Sequence, residues 1–111
     1  MSYIKNMEHE QVLTLAEQIT VHPGQVVSKT LAQNPYVSIT LFGFSEGEEI
    51  STHESNGDAI VLVLEGTGKC TIDGSEHLLH AGETIVMPAK KPHAVSAKED
   101  FKMLLTVVFP Q

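Results

Sequence analysis

The chain has 111 residues, enough for one hydrophobic core, and we expect residues 1–111 to form a single domain. Seven Lys and Arg against fourteen Asp and Glu give a net charge of −7, which disfavours nucleic acid and anionic membranes as partners because both bind clustered basic side chains. Cys70 is the only cysteine, so no internal disulfide can form, and we expect a reduced, cytoplasmic location.

The N-terminal letters MSYIKNMEHE lack the cationic start and apolar stretch of a secretory signal. Apolar residues between Glu10 and Ile19 follow helical spacing and predict a short helix or helical turn. Beyond this segment the apolar period is two, and turn residues recur about every ten positions. The pattern is typical of an all-β sandwich or barrel, with strands predicted at Gln25–Leu31, Tyr36–Phe44, Ile60–Glu65, Gly68–Ile72, Glu76–Leu79, Thr84–Met87, His93–Ser96 and Lys102–Phe109.

Two local patterns predict a bend and a hairpin turn in the middle of the chain. The acidic residues Glu46, Glu48 and Glu49 precede the third predicted strand and are interpreted as a solvated bend. Asp73-Gly74 separates two strand patterns and predicts a two-residue hairpin, whose turn requires positive φ at both central positions.

The run Ala59–Leu64 is apolar on both alternating faces. It is too short to cross a bilayer. A strand that is apolar on both faces must be covered twice, once by its own barrel and once by a second sheet or a second subunit. In so short a chain, this predicts a homodimer.

The spaced glycines, prolines and histidines resemble those of the cupins, whose fold is a small double-stranded β-barrel related to the jelly roll. The first cupin motif is a glycine, five residues, His-x-His, three or four residues, Glu, six residues and a glycine. Gly47, His53 and Gly66 fall on this spacing, so the motif spans about residues 47–66.

The second cupin motif is a glycine, five residues, Pro-x-Gly, two residues and His. Gly82, Pro88 and His93 fall on this spacing, within about residues 82–97, although Lys90 stands where the motif has its second glycine. The resemblance therefore implies an all-β chain folded as a cupin-type double-stranded β-barrel.

The resemblance also implies an incomplete metal site. The usual cupin cage contains three histidines and one glutamate, and here His53 and His93 match the first and last histidines. Ser55 occupies the position of the second histidine and Ala59 that of the glutamate. Asp58, next to Ala59, is a candidate third ligand, and the alternative is a carboxylate that caps local backbone amides.

Two functions of different classes remain open, and an acid/base role for His53 or His93 without metal is a third alternative. In the first, a barrel cavity binds a small molecule with a weak metal site or none, and its lining is His53, Ser55, Ala59, Val61 and His93. In the second, the chain resembles the metal-dependent cupin dioxygenases, isomerases and hydrolases, and His53 and His93 hold one divalent Zn, Mn, Fe or Ni ion. Loss of the carboxylate favours the first function, because no anionic ligand offsets the charge of the ion.

Overall fold

The computed structural model describes residues 3–111, and strands dominate it. A 3-10 helix over Leu15–Gln18 lies within the segment where a helical turn is predicted, and so confirms that prediction. The strands that follow are β1 (Val26–Gln33), β2 (Val37–Phe44), β3 (Glu49–His53), β4 (Asp58–Glu65), β5 (Thr67–Ile72), β6 (Ser75–His80), β7 (Thr84–Met87), β8 (His93–Ala97) and β9 (Phe101–Val108).

The strands form two antiparallel sheets. One has five strands in the order β1-β2-β9-β4-β7, and the other has four in the order β3-β8-β5-β6. Buried side chains from both sheets meet in one core, which confirms the predicted all-β, double-stranded β-barrel. The core contains Phe44, Ala59, Val61, Val63, Cys70, Leu79, Met87, Val95, Ala97, Phe101 and Met103.

Aromatic packing closes one end of this core. The rings of Phe44 and Phe101 stack with their centroids 4.6 Å apart. A Cβ on Gly68 would lie 2.7 Å from the Phe101 ring, so glycine is needed where β5 passes under that ring. The barrel is therefore filled at this end, and any cavity must lie toward the other.

The outer face of the five-stranded sheet is covered in part by the N-terminal segment. Ile19 packs there with Leu31 and Leu41, and Leu64 from β4 lies against the same cluster. Ile60, at the other end of β4, stays 43% exposed beside Val86, which is 52% exposed. The second apolar face of β4 is thus covered at Leu64 by the chain itself and is open at Ile60.

The structure adds one strand to those predicted and confirms the predicted hairpin. The predicted strands leave residues 45–59 without a strand, but β3 covers Glu49–His53, and of the three acidic residues assigned to a solvated bend only Glu49 belongs to it. An edge strand whose side chains are mostly exposed lacks the apolar alternation by which strands are recognised. The Asp73-Gly74 hairpin is present: β5 and β6 pair around it, and the φ angles are +48° and +85°. Within residues 3–111 no helix is long and apolar enough to span a membrane.

Candidate functional site

A β-bulge brings His53 and His93 together. On β3, Ile50 pairs with Val95 and His53 pairs with His93, so three steps along β3 match two steps along β8. Since strand side chains alternate between faces, residues three apart would normally point to opposite sides. Because β3 has one extra residue at the bulge, the side chains of both Ile50 and His53 point into the barrel. His53 therefore faces His93 across the edge of the four-stranded sheet, with 3.1 Å between their Nε2 atoms.

The backbone fixes the orientation of both rings. His53 Nδ1 lies 2.9 Å from the carbonyl oxygen of Ser51, and His93 Nδ1 lies 3.1 Å from that of Lys91. A carbonyl oxygen only accepts, so each Nδ1 donates and carries the ring hydrogen. In the neutral rings both Nε2 atoms then present lone pairs to each other. These two lone pairs are satisfied when one proton is shared between the Nε2 atoms or when both atoms bind a cation.

The two histidines differ in their surroundings. His93 is 3% exposed, whereas His53 lies at the surface. Burial lowers the pKa of His93 below its ordinary value of 6.5, and a charge on His53 lowers it further, against the opposing effect of the Lys91 carbonyl. A doubly protonated pair is therefore disfavoured.

A cavity of about 280 Å³ opens beside this pair. Its wall is mostly apolar, with the two imidazoles and the Ser55 hydroxyl as polar groups. Ser55 Oγ accepts a hydrogen bond from the Gly57 amide at 3.1 Å. The lining residues are Phe42, Ile50, His53, Ser55, Ala59, Met87, His93, Val95, Met103, Leu105 and Val107. Such a volume suits a ligand of about one ring, at the lower limit of small-molecule sites.

Four of the five residues predicted to line the cavity do so: His53, Ser55, Ala59 and His93. Val61 does not. It has no exposed surface and packs in the core, two residues further along β4, among side chains that include Phe44 and Phe101. The cavity is thus shallower along β4 than the sequence suggested.

Asp58 is not brought to the histidines. It is exposed on β4 and precedes the inward-facing Ala59, so its side chain leaves the opposite face. Its Oδ1 accepts a hydrogen bond from the Ala89 amide at 2.8 Å. The carboxylate therefore anchors the loop after β7, which is distant in sequence, whereas the alternative for Asp58 was a cap on local backbone amides. It supplies no third ligand in this structure.

Sequence reasoning missed most of the apolar wall. Met103, Leu105 and Val107 alternate on β9, and Val95 lies two residues after His93 on β8. Period-two parity from His93 would have found Val95. The β9 residues required the pairing of β9 with β4, where Val107 lies opposite Ala59, and the sequence does not state this register.

The donor set does not fit the divalent ion of the usual cupin cage. The cavity holds two imidazoles and no carboxylate. Among residues 3–111, no three His, Cys, Asp or Glu side chains are grouped as metal ligands. A divalent transition metal in proteins takes three or four protein ligands, and here its charge would meet no anionic group.

The chain is similar to known proteins in both sequence and structure. A family model described as "Cupin domain" matches residues 40–109. A crystal structure of a conserved protein of unknown function from Streptococcus pyogenes is 46% identical, with a TM-score of 0.98 over 100% of this chain and 97% of that one. A cupin superfamily protein from Desulfitobacterium hafniense is 37% identical, with a TM-score of 0.93 over 98% of this chain and 100% of that one.

One curated relative has a named activity. It is a 5-nitrosalicylic acid 1,2-dioxygenase from Bradyrhizobium, 31% identical over 62 residues. The match covers 56% of this chain and 30% of the relative. The chain thus corresponds to a minor part of that protein.

Proposed function

The chain belongs to the cupin family, and we propose that within this family it binds a small, largely apolar molecule in its barrel, with His53 and His93 as the polar anchor. The observation that carries this proposal is the cavity itself: an apolar wall with two imidazoles converging at one place. A few fixed polar groups in an apolar pocket are the usual composition of a small-molecule site.

The polar groups suggest how a ligand is oriented. When the histidine pair holds one proton it carries a positive charge beside a ligand, and the Ser55 hydroxyl lies in the same cavity wall. Both favour a ligand with a phenol or carboxylate oxygen on a body of about one ring. The lysines at positions 90 and 91, on the loop before His93, add positive charge near this part of the chain.

The methionine methyl groups offer a direct test. Met87 and Met103 line the cavity, whereas Met7 packs against the separate cluster on the outer face. With methyl-labelled methionine, addition of phenol or benzoate should shift the NMR resonances of Met87 and Met103 and leave that of Met7 in place. Ala59→Leu should fill the cavity and abolish the shifts, and Ala81→Leu, the same change at an exposed turn position, should preserve them. Unchanged Met87 and Met103 resonances across a set of such probes would contradict the proposal.

A metal-dependent enzyme is the second candidate, and the match to a dioxygenase favours it. His53 and His93 would be its metal ligands, and the ion would be Zn, Mn, Fe or Ni. We place this function second because two imidazoles without a carboxylate do not fit such an ion.

We also propose that the protein is a homodimer. Ile60 and Val86 are cross-strand partners on the outer face of the five-stranded sheet, and both are about half exposed. The other partner of Ile60 is Thr106, so the centre of this patch is uncharged. Asp58 lies two residues from Ile60 on the same face of β4 and marks the edge of this patch. Two copies of a chain of net charge −7 can therefore meet at the apolar centre without bringing carboxylates together there.

A cytoplasmic location completes the proposal. Its support is the single cysteine: Cys70 is 2% exposed, and burial raises the pKa of its thiol to about 11. Such a thiol is inert and packs as a small apolar side chain. The fold uses no disulfide, as is usual in a reducing compartment.

A further inference from the structure

The cavity contains soft donor atoms that neither proposed function uses. Met87 and Met103 are 2% and 1% exposed and line the same cavity as the two histidines. Thioether sulfur is a weak hydrogen-bond acceptor and a soft metal ligand. The site therefore combines converging imidazole lone pairs with thioethers, and it lacks the carboxylate that hard or borderline divalent ions favour.

We propose that His53 and His93 bind one Cu(I) ion through their Nε2 atoms, with the Met87 thioether as the third ligand. Cu(I) is the ion that thioether ligands select, and imidazole also suits copper. This inference goes beyond the binding of an apolar molecule and does not depend on it.

Charge distinguishes Cu(I) from the divalent ions. The cost of moving an ion from water into an apolar cavity grows with the square of its charge, so a divalent ion costs about four times as much as a monovalent one of the same size. No carboxylate lines the cavity to offset either charge. Because the imidazoles and the thioether are neutral, the Cu(I) site carries a single positive charge. The cost of moving this ion from water into the cavity is therefore smaller than that of a divalent ion.

The distance between the two Nε2 atoms implies that a bound ion has a third ligand. Two metal–nitrogen bonds of about 2.0 Å across 3.1 Å enclose an angle of about 100° at the ion. That angle belongs to three- and four-coordinate ions, whereas a two-coordinate ion prefers its ligands opposite each other. The orientation of both rings through their Nδ1 hydrogens is the arrangement that metal-binding histidines use.

Strand register selects Met87 over Met103. Met87 on β7 pairs with Ala59, the position that corresponds to the cage glutamate of the family. Met103 on β9 pairs with Val63, four residues further along β4 and deeper in the barrel. Met87 is therefore the thioether beside the lost ligand position, and Met103 is a matched control in the same cavity.

The experiment is an anaerobic titration of untagged, metal-free protein with Cu(I) in competition with a chromophoric Cu(I) chelator. We expect one Cu(I) per chain. His53→Ala and His93→Ala should each abolish it, and Met87→Leu should weaken the affinity by about tenfold or more. Met103→Leu and Cys70→Ala, which change the other soft side chains of the barrel, should leave the affinity within about twofold. Thermal melting of each variant without metal shows that it folds.

Three outcomes would overturn the inference. The first is no Cu(I) uptake by the folded wild-type chain. The second is an equal loss of Cu(I) affinity in Met87→Leu and Met103→Leu, or a loss of affinity in Cys70→Ala. Either result would contradict the assignment of Met87 as the third ligand. The third is tighter binding of Zn or Mn than of Cu(I). Each leaves the methionine NMR test of apolar ligand binding intact, because that test uses metal-free protein.

Discussion

His53 and His93 are held by the same local device on two different strands: each Nδ1 hydrogen bonds to the carbonyl oxygen two residues earlier, at Ser51 and Lys91. The bonds lock the rings with their Nε2 atoms 3.1 Å apart. A pair oriented in this way is already arranged for a proton, a ligand or a cation, so little ordering remains to be done on binding.

The first prediction concerns pH. The pKa of His93 is lowered in the folded chain, mainly by burial, so the unfolded chain takes up this proton at a higher pH than the folded chain does. Stability linked to His93 is therefore complete above about pH 6.5 and is lost as the pH falls through that value toward the lowered pKa. The melting temperature of metal-free protein should fall between pH 7.5 and 5.5, and His93→Gln should flatten the fall. His77→Gln, at an exposed position, should keep it. A steep fall that survives in His93→Gln would assign the effect to other groups.

The second prediction restores the missing ligands. Ser55 and Ala59 both line the cavity, so Ser55→His with Ala59→Glu should rebuild a cage of three histidines and one carboxylate around the existing pair. Without metal, the buried carboxylate should lower the melting temperature of this double variant. Mn or Zn salts should raise it again and bind at one ion per chain, measured by thermal melting and elemental analysis.

The control for the restored cage is Ser55→His with Ile60→Glu. It adds the same groups, but Ile60 is 43% exposed on the outer face, so the carboxylate cannot reach the cavity. With three imidazoles and no carboxylate in the cavity, it should bind the ion more weakly and gain less stability than the test variant. Equal metal-dependent stabilisation in both variants would show that a carboxylate at position 59 does not reach the ion.

Particular residues show which features of the fold and the site the sequence predicts and which it does not. Glycine spacing and alternating apolar residues predict the barrel, because both reflect local backbone requirements. The bulge between Ile50 and His53 breaks that alternation, so β3 is recognised only through its pairing with β8. Lys90 adopts a φ of +67° at a position where the family has glycine, so the turn keeps its shape although the sequence departs from the motif. The cavity wall depends on the register between β4 and β9, which local patterns do not encode.

The third prediction concerns assembly. If two copies meet through Ile60 and Val86, Val86→Glu should place two carboxylates in an uncharged interface and dissociate it. Light scattering should give about twice the 12.1 kDa chain mass for the wild type and about 12 kDa for the variant. Leu78→Glu makes the same change at a 55% exposed position on β6 of the other sheet and should leave the dimer intact. A wild-type monomer would contradict the proposed interface.

The last prediction compares two glycines with the same backbone conformation and different surroundings. Gly66 closes the first motif with φ +77°, and Gly82 opens the second with φ +88°. Nothing lies within 4 Å of a Cβ at Gly82, so Gly82→Ala should cost only the left-handed conformation, about 1–2 kcal/mol of unfolding free energy. A Cβ at Gly66 would collide with the Asp100 carbonyl oxygen and with Phe101, which are backbone and core atoms that cannot easily move. Gly66→Ala should therefore cost about 3 kcal/mol or more, measured by urea unfolding of both variants beside the wild type. Equal losses would mean that the chain after β8 yields to the added methyl group, and that Gly66 is required for its conformation alone.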